Sequence, residues 1–123
     1  MHSEQVTPQL QAEVVEGPKA QVLRLSGELD FAAMPRVEAI LRECEERPPQ
    51  LLLIDLRELT FIDSAGLRLL ITANWRAHAA GRKLSVTRTH ASVRRMFELT
   101  GLDSELHELE PDAVDALALP QGG

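Results

Sequence analysis

Residues 59–70, LTFIDSAGLRLL, set an acid, a hydroxyl and a glycine side by side: Asp63, Ser64 and Gly66. Three chemistries use such a group. The first is acyl transfer by a serine nucleophile. A nucleophile elbow requires glycine two residues on either side of the serine. Gly66 meets that on one side, but position 62 is Ile. The four histidines (His2, His78, His90, His107) are scattered, and no HGGG-like oxyanion segment is present. The second is helix capping, for which Asp and Ser side chains are the preferred acceptors of free backbone N–H groups. Asp63 could fill that place alone, with its carboxylate well placed against the helix dipole. The third is phosphorylation of Ser64. A phosphate at a helix start would meet free N–H groups, so the helix need not unfold. It would add about −1.5 to −2 charge beside Asp63 and repel a docked partner. Gly66, lacking a side chain, would let another backbone approach. Capping and phosphorylation both stay open on these residues.

The elements around the motif follow from period and punctuation. Residues 10–16 alternate weakly, residues 21–29 alternate more clearly, and GPKA between them is a turn, so the two pair as a hairpin. Residues 34–47 read as a helix, with Pro35 in its first turn, Val37, Ile40, Leu41 and Cys44 on one face, and Pro48 and Pro49 as its stop. Residues 50–56, QLLLIDL, are a continuous apolar run, the pattern of a strand covered on both faces. Residues 57–63 read as a turn. A second helix runs over 64–80, with Leu67, Leu70, Ile71 and Ala77 inward and Gly81 as the stop. Residues 83–88 form a short strand. A third helix within 90–101 carries Val93, Met96, Phe97 and Thr100 inward, with Gly101 at its C′ position. A last strand within 104–109 and a short helix from Pro111 close the chain. The fold class is therefore α/β: one domain over residues 1–123, core about 8–119 with frayed ends. It holds a mixed sheet of four to five strands with an N-terminal hairpin, packed by about four helices.

Composition narrows the function. The 123 residues carry a net charge of −6, the wrong sign for a surface that neutralises phosphates, so direct nucleic-acid binding is not expected. Apolar residues make up 44% and aromatics 3%, so the core is aliphatic. No run is long enough to span a bilayer and no leader pattern is visible, so neither membrane insertion nor secretion is expected. The single cysteine, Cys44, excludes an internal disulfide and fits a reducing cytoplasm. It lies on an apolar helix face and reads as core. No Gly-rich phosphate loop and no metal-ligand spacing appear, so no cofactor or metal is expected. Arg88, His90, Arg94 and Arg95 form a basic cluster that reads as a solvated face. Asn74 points coreward, toward a backbone group, and Trp75 reads as core packing.

Four stretches, in order and spacing, resemble the STAS domain of anti-sigma factor antagonists: LRLSGELDFAAMPRVEAIL, LLLIDLRELTFIDS, LTFIDSAGLRLL and VRRMFELTGLDSELHEL. The resemblance implies a non-enzymatic switch. The unmodified antagonist binds an anti-sigma factor that is also a serine kinase, and so frees the sigma factor. Phosphorylation of the motif serine, Ser64, ends the binding, and a serine phosphatase resets it. Asp63 and Gly66 match the flanking motif positions. Asp30, in GELD, matches the loop beside the phosphoacceptor. Arg68 and Leu69, read as the exposed side of the second helix, would line the partner surface. Many relatives have Ser where this chain has Ala65. The same fold also serves as a constitutive subunit of lipid-transport ABC complexes and as a weak nucleotide binder, and these are the alternative readings.

Overall fold

The computed structural model describes residues 2–47, 51–87 and 89–109. Its frame is the hairpin expected above. β2 (Leu10–Glu16) and β3 (Gln21–Leu29) pair antiparallel from Leu10 opposite Gly27 to Glu16 opposite Gln21. One strand precedes them. β1 (His2–Thr7) pairs antiparallel with β2, where a frayed end was expected. Its residues are polar except Val6, and none is fully buried, so no apolar alternation marks it. A contact far away in sequence tethers it: Arg36 donates to both Glu4 carboxylate oxygens, at 2.8 and 2.7 Å.

The parallel part follows the crossovers. β4 (Leu51–Asp55) lies beside the first half of β3, and β6 (Lys83–Thr87) lies beside β4. β7 (His107–Leu109) closes that edge. A second correction concerns residues 57–63, expected as a turn. They contain β5 (Leu59–Ile62), which pairs parallel with the second half of β3, Leu29 lying opposite Ile62. β3 is long enough to hold β4 along one half and β5 along the other. The sheet among the described residues thus has seven strands rather than four or five.

Three α-helices pack on this sheet: α1 (Met34–Glu45), α2 (Ser64–Ala79) and α3 (Ala91–Thr100). α1 buries Val37, Ile40, Leu41 and Cys44, as its periodicity requires. α3 buries Val93 and Phe97, with Met96 half-buried and Thr100 exposed, and ends at Gly101 with φ +77°, where a side chain would be strained. The core is aliphatic, with Leu23, Leu25, Leu29, Ile54, Leu59 and Leu70 fully buried in one cluster. Asn74 is buried and donates to the Glu105 carbonyl at 3.4 Å. The helix expected from Pro111, the Pro48–Pro49 stop and Arg88 lie outside the described residues. None of the helices among the described residues is long and apolar enough to cross a membrane.

Candidate functional site

The site is made where β5 turns into α2. Asp63 continues the ladder, its N–H donating to the Leu29 carbonyl at 3.2 Å. Its backbone is extended (φ −102°, ψ −176°), which leaves the side chain free to fold over the helix start. One carboxylate oxygen, Oδ1, accepts from the Gly66 N–H at 3.0 Å, and the Asp63 carbonyl accepts from Leu67 at 3.0 Å. Oδ2 reaches across and accepts from the Phe31 N–H at 2.9 Å. One side chain therefore caps α2 and ties the loop after β3 to it.

Ser64 is the first residue of α2 and is exposed. Its hydroxyl has no hydrogen-bond partner among the described residues. Capping thus belongs to Asp63, and the hydroxyl is left available for other chemistry. Asp30 stands at the end of β3, next to the residue paired with Ile62. Its carbonyl accepts from Ala33 at 3.0 Å and opens a 3-10 turn (Phe31–Ala33) that leads into α1. One Asp30 carboxylate oxygen is buried with no hydrogen-bond partner. The fold thus brings Asp30, Asp63, Ser64 and Arg68 to one corner.

Two expected site residues sit otherwise than the sequence indicated. Leu69 is 5% exposed and belongs to the core. It faces inward beside Leu70, and only Arg68 between Leu67 and Leu69 is exposed. Gly66 is buried, and the backbone that approaches it is the chain's own. A Cβ there would lie 2.6 Å from Ile62 Cγ1 and 3.0 Å from the Leu29 carbonyl oxygen. The glycine lets α2 sit directly on β3 and β5, which sets the height of Ser64 above the sheet.

Trp75 is a third correction: it is 65% exposed instead of packed in the core. Phe31 (77%) and Phe61 (46%) are exposed as well, and the sequence reading passed over both. The chain has only three Phe and one Trp, and of these Phe97 alone is buried. Phe31 follows GELD directly, and Phe61 takes an outward position in a strand whose inward positions are Leu59 and Ile62. Those outward aromatics were the available signal.

Two grooves flank the exposed ridge of α2 and share Arg68 and Thr72. One, about 480 Å³, runs from Ser64 past Ile71 to Trp75, with Thr100 opposite. The other, about 270 Å³, lies between Phe31, Met34 and Glu38 on one side and Ala65 and Leu69 on the other. Arg68 has no hydrogen bond or ion pair among the described residues. Arg94 in the basic cluster is bound to Glu108 at 2.8 Å, so its charge is matched within the chain. Burial pushes the Cys44 thiol up to about 11, so it stays protonated and unreactive. No group of three or more metal-ligating side chains occurs among the described residues.

This fold is that of a STAS domain. The STAS family model matches residues 9–116, and the chain belongs to that family. Within it, the chain is similar to anti-sigma factor antagonists. It is 24% identical to the anti-sigma-B factor antagonist of Staphylococcus aureus (strain NCTC 8325 / PS 47), over 86% of this chain and 98% of the relative. A crystal structure of an anti-sigma factor antagonist from Mycobacterium paratuberculosis superposes with a TM-score of 0.76 at 26% identity, over 92% and 98% of the two chains. The anti-sigma factor antagonist SpoIIAA in its unphosphorylated form gives 0.69 at 25% identity, over 87% and 94%.

Proposed function

We propose that this chain is an anti-sigma factor antagonist switched by phosphorylation of Ser64. The unphosphorylated form binds an anti-sigma factor serine kinase in the cytoplasm and so releases the sigma factor. Phosphorylation ends the binding, and a serine phosphatase restores it. The chain itself catalyses nothing and touches neither nucleic acid nor membrane. The observation that carries this reading is the division of labour between neighbours. Asp63 meets the structural needs of the corner, and Ser64 next to it keeps an exposed hydroxyl without a partner.

The surrounding surface suits a partner. Aromatic side chains and arginine are enriched in protein interfaces and dominate their binding energy. Here Phe31, Phe61 and Trp75 are exposed and Arg68 is unpaired. A phosphate on Ser64 would stand beside Asp63 and Asp30, close to the first N–H groups of α2, which it would help to satisfy. The helix would stay formed while the corner became strongly negative. A partner surface shaped for the neutral corner would then meet repulsion and a desolvation cost. Leu69 and Gly66 act here from beneath, by holding α2 down.

The test is capture from native lysate with Ser64→Ala and Ser64→Asp as baits, each first shown to be folded. The Ala bait should retain a small serine kinase. The Asp bait should bind it roughly a hundredfold more weakly. Incubating the wild-type chain with that kinase and ATP should place phosphate on Ser64 by peptide mapping. Equal retention of a transporter ATPase by both baits would instead establish the constitutive-subunit reading. Loss of the kinase from the folded Ala bait would make the hydroxyl itself a contact and end the repulsion account.

A further inference from the structure

Resting on Ser64 as the phosphoacceptor, we infer that its phosphate is gripped by Arg68 of the same helix. Modification then adds negative charge and also withdraws a guanidinium from the partner-facing ridge. Ser64 opens α2, and Arg68 follows four residues later, so the two are neighbours on one helical face. An acidic group that precedes the base by four residues is the favourable order. Both side chains border the same groove, and both are exposed.

Arg68 is also uncommitted. Arg76, two turns further along α2, is bound to Glu45 at 2.9 Å and lies 3.7 Å from Glu38. Arg68 has no such partner among the described residues. Glu38 borders the second groove with Arg68 but already lies against Arg76. The Asp63 oxygens are engaged by the N–H groups of Gly66 and Phe31. A phosphate dianion one turn away outcompetes these groups, because a guanidinium matches phosphate oxygens two at a time through charge-assisted hydrogen bonds. The unmodified state leaves Arg68 free for the partner, and the modified state holds it within the chain.

The test uses the full chain with phosphoserine incorporated at position 64 during translation, so no kinase has to recognise it. The second ionisation of the phosphate is followed by 31P NMR, in the otherwise wild-type chain and with Arg68→Gln added. Asp30 and Asp63 at the same corner, and Glu38 in the neighbouring groove, are present in both chains, so their effects cancel; from α3, only Thr100 borders the groove of Ser64 and Arg68. The expected result is a second pKa roughly 0.15–0.4 units lower when Arg68 is present. The gap should shrink in 1 M salt, and Arg68→Lys should retain part of it. The same pKa with and without Arg68, in chains with matching backbone spectra, overturns the inference. It would leave the capture result untouched, since that depends on Ser64 and a partner. Conversely, a failed capture with the pKa gap present would overturn the switch and leave the pairing standing.

Discussion

Asp55 is the last residue of β4, Asp63 directly follows β5, and the two have opposite surroundings. Asp55 ends β4 and is fully buried. Its carboxylate accepts from Arg24 Nε at 2.8 Å, from Arg57 Nη2 at 2.8 Å and from the Arg57 backbone N–H at 3.1 Å. The Thr87 hydroxyl adds a longer contact at 3.4 Å. Burial pushes this carboxyl up, and the hydrogen bonds from Arg57 and Arg24 more than reverse that, so it is held below its ordinary value. Asp63, just after β5, has no charge partner among the described residues and serves two backbone N–H groups. Around Asp55 every group is matched. Around Asp63 a hydroxyl, a guanidinium and the rings of Phe31 and Phe61 are left open, with Trp75 exposed further along α2. Matched polar groups hold a fold in one state, whereas unmatched exposed ones on a rigid frame are what a partner or a modifying enzyme can use.

The sharpest way to break this contrast is to remove each acid in turn. Asp55→Ala leaves Arg24 and Arg57 half-buried around an empty place, and breaking a buried pair costs about 3–5 kcal/mol. Denaturant unfolding should show that loss, the largest expected here. The contribution is present above the ordinary carboxylate range and is lost as pH falls below it, because the folded-state value is the lower one. A loss under 1 kcal/mol would mean that the buried network is no more structural than the corner. Next comes Gly66→Ala. Its Cβ would press on Ile62 and the Leu29 carbonyl, at about 1–3 kcal/mol, less the gain in helix propensity. Asp63→Ala should cost about 1–2 kcal/mol and should also speed hydrogen exchange at the Phe31 and Gly66 amides. Unchanged exchange at Phe31 would sever the link between α2 and the loop that carries Asp30.

The parts legible in the sequence are those with a period or a punctuating residue. α1, α2 and α3 show spaced apolar positions, and the hairpin shows GPKA between two alternating stretches. β1 escaped because it contributes little to the core and depends on Arg36, 32 residues from Glu4. β5 escaped because four residues next to a turn hold too few alternations to count. At the site, Asp63 as a cap was legible from residue type alone. The fate of Gly66 and Leu69 was not, since it depends on how closely α2 seats against Leu29 and Ile62. Trp75 was misjudged because helical angle gives direction but not what stands opposite, and α3 stops at Thr100, leaving the ring exposed.

Glu4 separates the two variables that Asp55 combines, an arginine partner and burial. It accepts two hydrogen bonds from Arg36 and one contact from His2 at 2.8 Å, but it sits on the edge strand with Arg36 largely in solvent. Arg36, and after it His2, hold its carboxyl at about 2, against an ordinary 4.5. The sign is that of Asp55: the contact is complete above pH 4.5 and is lost as pH falls toward 2. Its effect on stability should be the smallest of the four, because exposed ion pairs are screened and lose side-chain entropy on pairing. Arg36→Gln should return the Glu4 carboxyl toward 4.5 in a 13C NMR titration while the unfolding midpoint barely moves. A midpoint loss as large as that of Asp55→Ala would show that arginine pairing, and not burial, sets how firmly a carboxylate holds this sheet.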